Sequence, residues 1–135
     1  MRVGAPGALT DNASGGKVYI FGISEDGQTG EYGVNLFGKK TLNDFYGEPI
    51  KGRKLSHHGE ICEIIKKAHR SFPYFGFMSW DFCVNDKDEP VLIEYNTGSP
   101  EALAYQITTG PLFGDMTDEV LSDAASKMGR IRYFK

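Results

Sequence analysis

The sequence predicts an α+β fold: an antiparallel sheet with helices packed on one face. Three observations lead there. Residues 17–37 and 75–96 each read as strand, turn, strand. Helical periodicity between sheet strands is confined to one stretch, 58–71. Hairpins therefore dominate the order of elements, and the helices must share the apolar face of the sheet they make. At 135 residues, 40% of them hydrophobic and 24% charged, the chain is long enough for one domain with its own core.

Arg2 and Val3 begin as a strand, and a loop rich in Gly, Ala, Ser, Asn and Asp follows from Gly4 to Gly16. Lys17–Ile23 reads as a strand, with Asp26-Gly27 as a hairpin turn. A returning strand is expected around Glu31–Phe37. From Gly38 to Leu55 polar and aromatic residues mix without a period, and Pro49 and Gly52 break any element, so an irregular excursion is expected. Ser56 is the expected cap of a helix over His58–Ser71. Its apolar stripe is Ile61, Ile64, Ile65, Ala68 and Phe72, and Pro73 stops it. A short helix is expected from Glu101 to about Ile107. A last one starts at Thr117, with the stripe Val120, Leu121, Ala124, Ala125 and Met128, and Gly129 at its end. The basic, aromatic tail 130–135 reads as an edge segment or a frayed terminus.

The second hairpin carries the chemistry. Met78, Trp80, Phe82 and Val84 point one way along its first strand, and Phe77, Ser79, Asp81 and Cys83 the other. With Asp86–Glu89 as a four-residue loop, Asn85 faces Pro90, Val84 faces Val91, Phe82 faces Ile93 and Trp80 faces Tyr95, giving an apolar face. On the reverse face Asp81 falls opposite Glu94, and Ser79 opposite Asn96. Directly opposed like charges destabilise a strand pair unless a cation joins them. Magnesium takes carboxylate oxygens and keeps places for water and phosphate, and Asn96 adds a neutral carbonyl. A solvated polar face with a tolerated acid pair is the competing reading.

Fifteen basic against eighteen acidic residues give a formal charge of −3, which argues against a general nucleic-acid binder. No apolar run is long enough for a membrane span, and the first residues have no signal-peptide core, so a cytoplasmic location is expected. Cys62 and Cys83 lack metal-type spacing and read as small buried hydrophobes. His57-His58 reads as a solvated helix start and His69 as a helix C-terminal charge. Lys17 follows two glycines without the Gly-x-x-x-x-Gly-Lys pattern of a P-loop. Trp80 reads as core. Lys39, Lys40, Lys51, Arg53 and Lys54 make the middle excursion basic, which suits either an anionic substrate or a solvated surface.

An acid on one strand, a hairpin turn and Glu-x-Asn on the next resembles the metal-binding pattern of ATP-grasp enzymes. Arg2 followed by Asp11-Asn12-Ala13-Ser14-Gly15-Gly16 resembles the Arg…Asn…Gly-Gly stretch that precedes this hairpin in many ATP-grasp ligases. Trp80-Asp81, Glu89–Asn96 and Gly110-Pro111-Leu112-Phe113-Gly114-Asp115 are most similar to the sugar-transfer-associated branch. The resemblance covers nearly the whole chain, and only the C-terminal half of an ATP-grasp domain. It implies that residues 1–135 form a single metal- and phosphate-binding domain. The preceding nucleotide-binding subdomain, with its phosphate-contacting lysine, would come from elsewhere, in cis or in trans.

What the resemblance implies for function is an ATP-dependent carboxylate ligase working through an acylphosphate, linked to polysaccharide or cell-surface sugar synthesis. Asp81, Glu94 and Asn96 would hold one or two Mg2+ ions against the phosphates of ATP. Arg2 would meet charge developing on the transferred phosphoryl group. Asp11, Asn12, Ser14, Gly15 and Gly16 would approach phosphate or the acyl acceptor; read without the resemblance, that loop is an Asx-type turn. Ser79 departs from the pattern, since several ATP-grasp ligases carry an arginine two residues before the metal acid. The competing reading is a truncated, non-enzymatic remnant that binds metal or nucleotide weakly or serves as an interaction module. A different metal-dependent phosphoryl-transfer enzyme is the third.

Overall fold

A computed structural model describes residues 1–7, 17–98 and 102–128. Its class is α+β, with antiparallel strand pairing throughout and helices between and after the strands. The strands form two sheets. One has the order β1 (Arg2–Gly4), β2 (Val18–Ile23), β3 (Thr29–Val34) and β4 (Lys40–Thr41). The other is the hairpin of β5 (Ser79–Val84) and β6 (Pro90–Asn96). Helix α1 (His58–His69) lies between the two sheets in sequence, and α2 (Leu103–Thr109) and α3 (Thr117–Met128) follow.

The core gathers on β2 and β3. Val18, Ile20 and Val34 cluster there with Tyr32 packed against them. Helix α2 lies across these two strands, and the Tyr32 hydroxyl donates to the Ile107 carbonyl at 3.3 Å. On the opposite side of β2 the Tyr19 ring meets Phe45, with centroids 4.6 Å apart.

Phe45 belongs to the segment expected to be irregular, and here the structure corrects the sequence reading. That segment is stitched onto β3. Thr29 N–H donates to Arg53 O, Gly52 N–H donates to Thr29 O, and the Thr29 hydroxyl donates to Ile50 O. Ile50 is among the most deeply buried side chains of the described residues. A single buried residue between turns has no period, so hydrophobic patterning does not find it. Its basic character is also partly neutralised: Lys51 pairs with Glu31 and Arg53 with Asp44, each at 2.8 Å. Lys40 sits over the Tyr32 ring at 4.2 Å.

One turn recurs four times. In Ser24–Gln28, Asn35–Lys39, Asp44–Glu48 and Asn85–Glu89 the first residue's N–H donates to the fifth residue's carbonyl. The fourth residue's N–H donates back to the first carbonyl, and that fourth residue is left-handed. It is Gly27, Gly38, Gly47 and Asp88, with φ of 82°, 75°, 82° and 59°. This is the three-residue hairpin loop that ends in a left-handed residue. The Asn35, Asp44 and Asn85 side-chain oxygens each accept the N–H groups two and four residues on.

The last of these turns changes the register of the second hairpin. A three-residue loop pairs Val84 with Pro90, Cys83 with Val91 and Phe82 with Leu92. The expected pairs Asn85–Pro90, Val84–Val91 and Phe82–Ile93 do not form. A bulge between Asp81 and Phe82, opposite Ile93, then adds one residue to β6. Beyond it the expected pairs Trp80–Tyr95, Asp81–Glu94 and Ser79–Asn96 are present.

Helix α1 begins one residue later than a Ser56 cap requires. Its N-cap is His57, left-handed at φ 58° and without a side-chain cap bond. Lys66, Lys67 and His69 occupy its last turn, as the helix dipole favours. The hairpin's apolar side faces the end of this helix: Phe72 and His69 stand 6.0 and 6.1 Å from the Trp80 ring, and Phe72 stands 5.1 Å from Tyr95. Trp80 is thus packed, as its alternation suggests. Three other expectations are corrected. Cys62 is only half-buried and Cys83 is exposed. Helix α3 leaves Leu121, Ala124 and Ala125 of its stripe exposed, Leu121 at 59%, so helix packing on the four-stranded sheet rests on α2. The hairpin's Leu92, Ile93 and Tyr95 are exposed as well. The expected end of α3 at Gly129 and the tail 130–135 lie outside the described residues.

His57 joins α1 to the hairpin tip. Its Nδ1 is 3.0 Å from Glu60 Oε2 and its Nε2 is 3.2 Å from Asp88 Oδ1. A neutral imidazole has one N–H, so only the imidazolium donates to both. The Glu60 hydrogen bond first, and the Asp88 hydrogen bond second, raise its pKa above 6.5. A raised folded pKa gives stability that is full below the unfolded value and fades as pH rises through the folded one. Thermal melts from pH 6 to 8 are therefore expected to show a stability loss in the native chain that His57→Gln lacks. An identical pH slope in both would overturn this.

Candidate metal and phosphate site

A cavity of about 460 Å³ opens between the two sheets and α2. Its polar lining is Arg2 from β1, Ser79 and Asp81 from β5, Glu94 and Asn96 from β6, and Tyr105 and Thr108 from α2. Ile20 and Phe21 of β2 lie alongside. Arg2, Asp81, Glu94 and Asn96, far apart in sequence and singled out there, thus meet in one space. Asp11, Asn12, Ser14, Gly15 and Gly16 lie outside the described residues.

Each placement has a local cause. Arg2 is aimed by the pairing of β1 on β2, which sets it against Ile20. Asp81 and Glu94 share a face because the bulge returns β6 to the pairing that opposes them. Without that extra residue the outer register would bring Glu94 opposite Trp80, on the aromatic side. Helix α2 reaches the cavity because Gly22 has no side chain. A Cβ there would stand 2.6 Å from Thr109 Cγ2 and 2.9 Å from the Thr108 carbonyl oxygen.

Each carboxylate already has a partner within the chain. An Arg2 guanidinium nitrogen donates to Asp81 Oδ2 at 2.9 Å, with both side chains about 30% exposed (32% and 28%). Asn96 Nδ2 donates to Glu94 Oε1 at 3.3 Å. Among the described residues no group of three or more His, Cys, Asp and Glu side chains is placed to hold an ion. Two carboxylates and an amide form too small a set to enclose a cation. They suit magnesium, which is commonly held by one or two carboxylates with phosphate oxygens and water completing its shell. Arg2 against Asp81 shows in addition that this carboxylate faces a positive charge.

The family model for sugar-transfer associated ATP-grasp matches residues 1–120. The chain belongs to this ATP-grasp family. No match was found among curated proteins or among solved structures. ATP-grasp domains are ATP-dependent and ligase-like, and the match spans every strand described above, including the whole cavity lining. No helix among the described residues is long and apolar enough to cross a membrane.

Tyr105 and Thr108 are cavity residues that sequence reasoning missed. They sit on a seven-residue helix with no distinctive motif, and only the fold brings them near the hairpin. The available signal was Gly22, a glycine inside a strand, which marks a bulge or the close approach of another backbone; here the β2–β3 register shifts at Gly22 and α2 lies against it. Gly22→Ala is expected to push α2 off β2 and to cost about 1–3 kcal/mol of stability, as overpacking does. Chemical denaturation of the native and Gly22→Ala chains measures this, and equal midpoints would refute the packing argument.

Proposed function

We propose that this chain is the metal- and phosphate-binding half of an ATP-dependent carboxylate ligase that acts through an acylphosphate. The observation that carries the proposal is the convergence of Arg2, Asp81, Glu94 and Asn96 on one cavity. Asp81, Glu94 and Asn96 would hold one or two Mg2+ ions. A magnesium ion would offset the negative charge of the phosphates during transfer.

The reaction needs little covalent chemistry from the protein. A substrate carboxylate oxygen attacks the γ-phosphorus of ATP, the bond to the ADP oxygen breaks, and a nucleophile later displaces phosphate from the acylphosphate. The chain's contribution is positioning and charge. Arg2 presents a planar fork of donors, and Ser79, which stands where related ligases have an arginine, leaves that task to it. Tyr105 and Thr108 also line the cavity, and would face whatever fills it. The loop residues Asp11, Asn12, Ser14, Gly15 and Gly16 would approach phosphate or the acyl acceptor.

A nucleotide-binding subdomain, joined in cis or supplied in trans, would complete the clamp on ATP. The exposed apolar side chains Leu92, Ile93 and Tyr95 on β6 support such a junction. The family description supports a substrate in polysaccharide or cell-surface sugar synthesis. Dependence on ATP supports a cytoplasmic location.

Calorimetric titration with a non-hydrolysable ATP analogue, with and without magnesium, tests the reading. Binding by the native chain is expected to depend on magnesium. Glu94→Gln is expected to weaken it at least about tenfold, or ~1.4 kcal/mol, with an unchanged circular dichroism spectrum. Unchanged affinity in a folded Glu94→Gln chain would reject the assignment.

A further inference from the structure

Both carboxylates of the site already have partners within the chain. Asp81 holds the Arg2 guanidinium at 2.9 Å, and Glu94 accepts the Asn96 amide at 3.3 Å. Arg2 reaches Asp81 from the other sheet, so its ion pair joins the two sheets at the cavity. A divalent cation that enters alone must take Asp81 from Arg2. It would then leave a guanidinium beside a doubly charged ion, with two like charges in one small space. A polyphosphate changes this balance, because it offers Arg2 a bidentate anionic partner in exchange for Asp81. Cation and phosphate each remove the obstacle to the other, and such coupling is reciprocal.

We propose that Arg2 gates the metal site: it occupies Asp81 until a polyphosphate takes it over, so that divalent cation and nucleotide bind as one unit. The proposal rests on the metal assignment to Asp81 and Glu94 made above. It assigns Arg2 a role before any phosphoryl transfer, as an internal counter-ion that keeps free cations out. It also makes the link between β1 and β5 depend on what fills the cavity, since takeover by phosphate removes the ion pair that spans them.

The test uses manganese alone, without nucleotide, with free Mn2+ measured by electron paramagnetic resonance. The native chain is expected to bind Mn2+ weakly. Arg2→Gln is expected to bind it at least about tenfold more tightly, within the usual range of coupling between sites. Adding Glu94→Gln to that variant is expected to abolish the gain. Arg2→Lys, which keeps the charge but loses the fork, is expected to fall between native and Arg2→Gln. Circular dichroism establishes that each variant is folded. A folded Arg2→Gln chain that binds Mn2+ no more tightly than the native chain would overturn the gate. So would a gain that survives Glu94→Gln, because the ion would then sit elsewhere. The gate and the ligase reading fail separately. Magnesium-dependent nucleotide binding by the native chain without a manganese gain in Arg2→Gln removes the gate alone. A manganese gain with binding of inorganic triphosphate but not of nucleotide removes the ligase reading alone.

Discussion

A strand has a side-chain period of two, so one residue decides which face a side chain occupies. The site depends on that constraint at a single place, the β6 bulge opposite the Asp81–Phe82 step. The three-residue turn at Asp86–Asp88 sets a register that, carried straight through, would put Glu94 and Asn96 among the aromatic rings. The extra residue at Ile93 returns both to the side of Asp81. Turn and bulge are a matched pair: the turn shortens the path by one residue and the bulge absorbs the difference. The apolar packing of Trp80 and Tyr95 on Phe72 then holds this corrected end in place.

The site is also composite in a way that separates its parts energetically. The hairpin supplies acids and an amide, β1 supplies the guanidinium, and α2 supplies Tyr105 and Thr108. The core of the four-stranded sheet lies with Val18, Ile20 and Val34, and Ile20 also borders the cavity. The hairpin is secured instead by the aromatic cluster at the end of α1, by the His57 contacts at its tip and by Arg2 across the cavity. Motion between the two sheets would therefore alter the cavity.

Much of this was legible in the sequence for physical reasons. Alternation revealed β5 and the carbonyl-and-carboxylate face of β6, because a polar residue every second position survives any turn. The family resemblance singled out Arg2, which no periodicity would have found. The outer register was misread because a four-residue loop looked as reasonable as a three-residue one. The sign to look for was the repeated pattern of Ser, Asn or Asp followed three residues later by Gly, at Ser24, Asn35 and Asp44. Asp88 hides the fourth copy, since it adopts a left-handed conformation that glycine adopts in the others. Ile50 and the placement of α2 escaped for a different reason. One is a lone buried residue between turns, the other a short helix whose place is set by a missing side chain on another element. The exposed Leu121, Ala124 and Ala125 of α3 show the reverse error, in which a good helical pattern promises a partner that the described residues do not supply.

Trp80 is the only tryptophan in the chain. It is the residue next to Asp81 on β5, turned to the opposite face, with Tyr95 across from it and the His69 and Phe72 rings about 6 Å away (6.1 and 6.0 Å). The molecule therefore carries one indole fluorophore beside its seven tyrosines, with a backbone shared with the site and a ring set among those of His69, Phe72 and Tyr95. Changes in its emission would report the hairpin's position against the end of α1 without any added label.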